Sequence, residues 1–400
     1  MFTMAVIENK IEQDSIVGIV QSGYDKLFGE QWPVWVGGLL LGALNVFLFA
    51  FARPWSAADG VRNWGDWFYN ALGIMDKVII SPHLYSTSVL NISIVIGALT
   101  AAMLSRQFAV RVPPQREFYK GLFGGCLMGV GSSLSFGCNI GGFFSASSGL
   151  SLAGIAMMLG LMLGAYIGLR LLLLEIEYLP APVMKTAPRQ TNPPWYRYRP
   201  LVGIVILVLA MVIALTYDGF DYSERAGIIV FGLVIGIVLQ RTRFCFVRAF
   251  REQFMTGNSE TTKAVAVAII ISVIGFSILK WTDLKEWEVS VSDGFWFGSL
   301  IGGTIFGIGM SLTGGCATGS LWRAGEGHVK LWIALIAFAL SGSYFREWLE
   351  ASGWIMKLGE SMFLPDYMSW KMSVTTIIAI MLLWYLLAAW NEVRGKFVVG

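Results

Sequence analysis

Gly121-Leu-Phe-Gly-Gly-Cys-Leu-Met-Gly-Val-Gly-Ser-Ser-Leu-Ser-Phe-Gly-Cys138-Asn-Ile-Gly-Gly142 decides the fold, because the same pattern returns later in the chain. The second copy is Ser299-Leu-Ile-Gly-Gly-Thr-Ile-Phe-Gly-Ile-Gly-Met-Ser-Leu-Thr-Gly-Gly-Cys316-Ala-Thr-Gly-Ser320. One gapless offset of 178 residues superposes Gly124 on Gly302, Gly125 on Gly303, Gly129 on Gly307 and Gly131 on Gly309. It also superposes Ser133 on Ser311, Leu134 on Leu312, Gly137 on Gly315, Cys138 on Cys316 and Gly141 on Gly319. A glycine-rich chain supplies matched glycines by chance, but not this run with a cysteine at the same place. We read two halves of an internal repeat, each with a cysteine where a glycine-rich helix breaks.

The rest of the composition sets the solvent. Of 400 residues, 56% are hydrophobic and 14% charged, and mean hydropathy is +0.64. Soluble domains carry about 25% charged residues. Several apolar runs approach the ~17–25 residues that a helix needs to cross a bilayer. The expected fold class is therefore an all-α polytopic membrane protein, an inverted repeat with two broken, cysteine-bearing helices at its centre. A net charge of +3 gives no reason to expect a nucleic-acid partner, and the basic residues lie between apolar runs, where they report topology. Cysteines 126, 138, 245 and 316 include no Cys-x-x-Cys pair, and the only histidines are His83 and His328. No disulfide framework, metal site or cofactor is expected from that spacing.

Along the chain, residues 1–33 form a mixed N-terminal segment without the features of a signal peptide. The first half spans 34–174, with a Trp- and Asp-rich loop at Arg53–Thr87. A proline-rich, basic linker covers 175–200, the second half 201–346, and a loop, a last transmembrane helix and a basic tail 347–400. Loops 106–120, 175–200 and 241–263 are basic, whereas 218–224, 281–293 and 347–366 are net acidic. With basic loops cytoplasmic, the spans alternate correctly if each cysteine-glycine element crosses once, in opposite directions. Both termini are then expected on the cytoplasmic side of the cell (inner) membrane. Re-entrant hairpins are the alternative and fit the charges less well.

The chemistry expected at the breaks follows from the backbone. Each glycine in a helix interior costs about 0.8–1.0 kcal/mol relative to alanine, so Gly137, Gly141 and Gly315 weaken the helix around each cysteine. A break inside a bilayer frees backbone N–H and C=O groups that must face protein or a wet cavity. The helix restarting after the break points its N–H groups at that place and favours an anion. Cys138-Asn139 and Cys316-Ala317-Thr318 stand at those N-termini. A thiol is a soft, polarisable, weak donor suited to a sulfur-containing anion. A third cysteine sits in Arg241-Thr-Arg-Phe-Cys245-Phe-Val-Arg-Ala-Phe-Arg-Glu252. Arg241, Arg243 and Arg323 are read first as cytoplasmic anchors and second as groups that concentrate anions at a pore mouth. Arg323 and Glu326 are spaced i,i+3 and are expected to pair. His328 is read as structural, and Cys126, whose mate in the repeat is Thr304, as a packing residue.

These motifs resemble the YeeE/YedE, or sulfur-transport, family of membrane proteins. The resemblance rests on Arg-Thr-Arg-Phe-Cys245-Phe-Val-Arg, Gly-Ile-Gly-Met-Ser-Leu-Thr-Gly-Gly-Cys316-Ala-Thr-Gly and Phe-Gly-Cys138-Asn, and covers about residues 90–345. It implies import of thiosulfate along a narrow path, with Cys138, Cys245 and Cys316 passing the ion by S–H···S hydrogen bonds. The Cys138-Asn139 form and the stretch from Ala317 to Arg323 look more like the YedE branch, associated with selenium metabolism. A selenium compound or another reduced sulfur species is therefore the alternative cargo. A separate cytoplasmic sulfurtransferase of the TusA type is the implied protein partner. A membrane sulfurtransferase holding a persulfide is a rival of another class. It would need an exposed, low-pKa thiolate, which apolar, glycine-rich surroundings oppose, so the protein is expected not to be an enzyme. A purely structural subunit would not need repeated cysteine breaks.

Overall fold

The computed structural model describes residues 21–178, 194–292 and 296–399. Most of the N-terminal segment 1–33 and most of the linker 175–200 lie outside them. The protein is all-helical. Among the described residues, nine helical stretches are long and apolar enough to cross a membrane, or ten with one bent pair. In chain order the helices are α1 (Val34–Phe51), α2 (Ala58–Ala71), α3 (Ser86–Leu104), α4 (Gln115–Leu134), a π-helical turn Asn139–Ser145, and α5 (Leu152–Tyr178). They continue as α6 (Arg199–Gly219), α7 (Ser223–Thr242), α8 (Phe246–Met255), α9 (Glu260–Trp281), α10 (Phe297–Thr313), α11 (Ala317–Gly325), α12 (Val329–Ala351) and α13 (Trp370–Arg394).

Local chemistry marks many of the boundaries. Pro33 and Pro114 directly precede α1 and α4, and Pro200 sits in the first turn of α6, where its missing N–H costs nothing. Ser369 accepts the Met372 N–H at the start of α13, and Gly395 ends that helix in the left-handed conformation (φ 61°). The two cysteine-glycine elements stop by related means. Gly314 takes φ +72° after α10. Phe136, its counterpart in the first copy, takes φ +53° after α4, with the Arg346 guanidinium 4.6 Å over its ring. Helices 115–134 and 139–148 meet at a bend of 44°.

One expectation is corrected. The stretch Arg53–Thr87 is not simply a loop, because it contains α2. That helix is amphipathic and buries Gly60, Val61, Asn63 and Gly65 against its neighbours. Its Asp, Asn and Arg residues dilute the apolar signal, so it does not stand out beside the bilayer-crossing runs.

Packing is dominated by close helix contacts. α4 packs on α10, and their glycines meet reciprocally. A Cβ on Gly131 would stand 2.6 Å from the Gly302 carbonyl oxygen, and one on Gly302 2.6 Å from that of Gly131. The same holds for Gly124 and Gly309, at 2.7 and 2.6 Å. Around this contact α10 packs on α5 and α12 on α4, α7 on α3 and α9 on α1, α12 on α2 and α8 on α5. In lipid, association of this kind rests on van der Waals contact that only small residues permit.

Gly164 on α5 gives a measurable consequence. Its Cβ would stand 2.1 Å from the Thr304 carbonyl oxygen and 2.8 Å from Gly307 Cα, both backbone atoms of α10 that cannot swing aside. Gly164→Leu should force the two helices apart and destabilise the protein by about 3 kcal/mol or more. Thermal unfolding in detergent would show it, and an unchanged melting temperature would contradict this packing.

Candidate functional site

Cys138, Cys245 and Cys316 are each buried at the start of a helical segment. Cys245 is the N-cap of α8, Cys316 the N-cap of α11, and Cys138 the residue before the π-helical turn. None exposes more than 1% of its surface, and all three belong to one hydrophobic cluster. The Gly319 amide donates to Cys316 Sγ at 3.2 Å. Cys316 also faces the Phe246 amide, and Cys245 the amides of Val247 and Arg248. Cys138 faces the amides of Ile140, Gly141, Ala57 and Ala58. Each sulfur is thus held at helix N-termini, where unsatisfied N–H groups and the helix dipole favour negative charge.

Cys245 and Cys316 are neighbours, close enough for their thiols to interact. They border the same small space in front of Gly319, where a Cβ would stand 2.9 Å from Cys245 Sγ and 3.3 Å from Cys316 Sγ. The Cys138 segment docks on the same region through aromatic rings. Phe143 meets Phe250 at 5.5 Å and Phe246 at 6.5 Å, and Phe144 meets Phe246 at 5.9 Å between centroids. Trp322 fixes the segment before α8 by donating its Nε1 hydrogen to the Phe244 carbonyl at 3.1 Å. The thiols therefore sit among apolar rings, with backbone amides as their main polar neighbours.

The arginines divide. Arg241 is 1% exposed and its guanidinium donates to the Leu27 carbonyl at 3.1 Å and to the Glu30 carbonyl. It ties the N-terminal segment to the end of α7. Arg323 lies close enough to Cys245 to act on it electrostatically, stacks 5.1 Å from the Trp322 ring and donates to the Gly314 carbonyl at 2.8 Å. That carbonyl contact replaces the expected Arg323–Glu326 pair, because Glu326 follows the end of α11 and turns to a different set of partners. Arg251, which donates to the Ser311 carbonyl at 3.3 Å, also acts on Cys245. The i,i+3 spacing of Arg248 and Arg251 on the helix that Cys245 opens was the available signal for it. Gly137 and Gly315 are buried beside the cysteines, as are Asn139, Ala317 and Thr318, whereas Gly141 is only partly buried.

Glu326 has no exposed surface and anchors a polar cluster. Gln240 Nε2 donates to its Oε1 at 2.9 Å, Arg243 stands 3.5 Å and His328 3.6 Å from its carboxylate, and Gln107 bridges Gln240 and Arg243. Arg243 thus pairs with Glu326, and His328 sits between Glu326 and Arg111 at 3.0 Å. Burial pushes the Glu326 carboxyl up, but His328, Arg243 and Gln240 outweigh it and hold the group below its usual value of 4.5. A depressed carboxylate adds stability that is present above its unfolded pKa and lost as pH falls through the folded one. The melting-temperature gap between the parental protein and Glu326→Gln should therefore narrow as pH drops from about 5 to 3. A gap that stays constant would show that the charge of Glu326 is not what holds the cluster.

A family pattern described as sulphur transport matches residues 2–167 and 241–397. The probable transporter YedE of Escherichia coli strain K12 is 27% identical over 307 residues, 73% of this chain and 75% of that protein. The thiosulfate transporter TsuA of the same strain is 38% identical over 116 residues, 29% of this chain and 32% of that protein. TsuA of Spirochaeta thermophila is 34% identical over 129 residues, 32% of this chain and 38% of that protein.

Proposed function

For a chain that belongs to the sulphur-transport family and is a multi-pass membrane protein, we propose a permease that imports a small sulfur-containing anion, thiosulfate first, past Cys138, Cys245 and Cys316. The observation that carries this reading is the pair of thiols in front of Gly319, with helix N-termini aimed at both sulfurs. Such a place offers weak, polarisable donors and a favourable potential without the strong binding that would trap an ion. The names of the TsuA relatives point to the same cargo.

Two inverted halves, 34–174 and 201–346, build the path. Contacts in exchanged pairs support this: α10 with α5 answers α4 with α12, α7 with α3 answers α1 with α9, and α8 with α5 answers α2 with α12. The reciprocal glycines of α4 and α10 then lie about a pseudo-twofold axis. Each cysteine-glycine element is one broken, membrane-crossing helix, and the basic loops place both termini on the cytoplasmic side of the inner membrane. Arg243 and Arg323 add positive potential at the inner mouth. A separate sulfurtransferase of the TusA type would receive the cargo there.

Uptake of labelled thiosulfate into proteoliposomes tests the reading, with sulfate and selenite as competitors. Saturable uptake that unlabelled thiosulfate suppresses and sulfate does not is expected. Competition by selenite as strong as that by thiosulfate would move the cargo to selenium, and uptake no faster than in protein-free liposomes would overturn the permease.

A further inference from the structure

The two breaks differ in chemistry although they match in geometry. Gly141 and Gly319 occupy the same place in the two copies of the repeated stretch. A Cβ on Gly319 would stand 2.9 Å from Cys245 Sγ, and one on Gly141 would stand 2.8 Å from Ser56 Oγ. The surroundings agree as well. Cys245 directly precedes α8, and the Phe246 amide that follows it reaches Cys316. Ser56 stands just ahead of α2, and the Ala57 amide that follows it reaches Cys138. Ser145 Oγ fastens the two segments by donating to the Trp55 carbonyl at 2.6 Å. A hydroxyl thus stands where the other half has a thiol.

The residue after each break cysteine differs too. The second half has Ala317, the first Asn139. Asn139 is fully buried, and neither its amide oxygen nor its amide nitrogen has a hydrogen-bond partner among the described residues. Buried side-chain amides are nearly always satisfied, so one open at both ends calls for a polar occupant beside it.

We infer that Ser56, Asn139 and the backbone amides around Cys138 form an oxygen-recognising subsite for the sulfur oxyanion, while Cys245 and Cys316 contact its terminal sulfur. This rests on the permease reading. Hydroxyl and amide N–H groups are hard donors matched to sulfonate-type oxygens, and thiols are soft donors matched to sulfane sulfur. An anion with both ends is discriminated from sulfate by the thiol pair and from hydrosulfide by the oxygen subsite. A cavity of about 450 Å³ opens beside Ser56, lined by Arg53, Gly141 and Ser145 and also by the carboxylates Asp59 and Glu224, so the anion is held by Ser56 and the backbone on the side away from them. The Ser56 hydroxyl donates to Asp59 Oδ2 at 3.0 Å, so it must turn to meet an anion. The Asn139 amide needs no such exchange and is the stronger determinant.

Kinetics of thiosulfate uptake in proteoliposomes separate the two ends. Asn139→Ala should raise KM about tenfold, equivalent to ~1.4 kcal/mol, with maximal rate within twofold of the parent. Ser56→Cys, which copies the thiol of the other half, should raise KM about threefold. Sulfite, an oxyanion without terminal sulfur, should compete less well in both variants than in the parent. KM within twofold of the parent in both, with sulfite competition unchanged, would overturn the subsite. Should Asn139→Ala fail to fold, Ser56→Cys decides by the same readouts. A parental protein that carries no thiosulfate is recognised before any variant is compared, and it ends the permease reading and this inference together.

Discussion

Replacing Cys316 by alanine is expected to abolish thiosulfate uptake while leaving the protein folded. The residue is fully buried, its sulfur accepts the Gly319 amide at 3.2 Å, and it pairs with Cys245. Cys245→Ala and Cys138→Ala are expected to do the same. Serine keeps a donor of similar size but is harder and less polarisable, and should impair uptake strongly. One weak donor contributes only about 1 kcal/mol, which slows transport several-fold. Abolition therefore means that the thiol acts where the ion crosses its barrier. Cys126 is half-buried, and Ser341 Oγ donates to its carbonyl at 3.2 Å. Cys126→Ala should be close to neutral. Melting temperature measured beside uptake separates a blocked path from a collapsed one. Folded Cys138→Ala and Cys316→Ala proteins that carry thiosulfate at the parental rate would make these cysteines packing residues.

Gly319→Ala should block the path with a single methyl group. Its Cβ would stand between two sulfurs, at 2.9 and 3.3 Å. Gly319 lies in the first turn of α11, where alanine gains only part of the about 0.8–1.0 kcal/mol it gains in a helix interior. Crowding of the thiols costs about 1–3 kcal/mol, and net stability should fall by less than about 3 kcal/mol. Uptake should nevertheless fall at least tenfold, because the methyl fills the space that the two thiols share. A variant with parental uptake would move the path away from Gly319.

Part of this was legible because it depends on local composition. A helix that crosses lipid must be apolar over its whole length, so runs such as Val34–Phe51 and Glu260–Trp281 announce themselves. Close crossings and left-handed turns left a trace as well, since both select glycine, as at Gly131, Gly302 and Gly314. Helix α2 was hidden because it answers to neighbouring helices instead of lipid, and its polar residues resemble those of a loop. Glu326 paired with residues remote in the chain, and no i,i+3 rule reports those.

The sequence by itself determined that the chain is a helical membrane protein, that a glycine-cysteine element occurs twice, and which cysteines to examine. These are properties of short stretches, governed by transfer to lipid and by glycine geometry. Only the tertiary structure decided that Cys245 joins Cys316 at Gly319, that Arg241 is taken up by carbonyls, and that Ser56 stands against Gly141. Those facts depend on segments far apart in the chain meeting at helix ends.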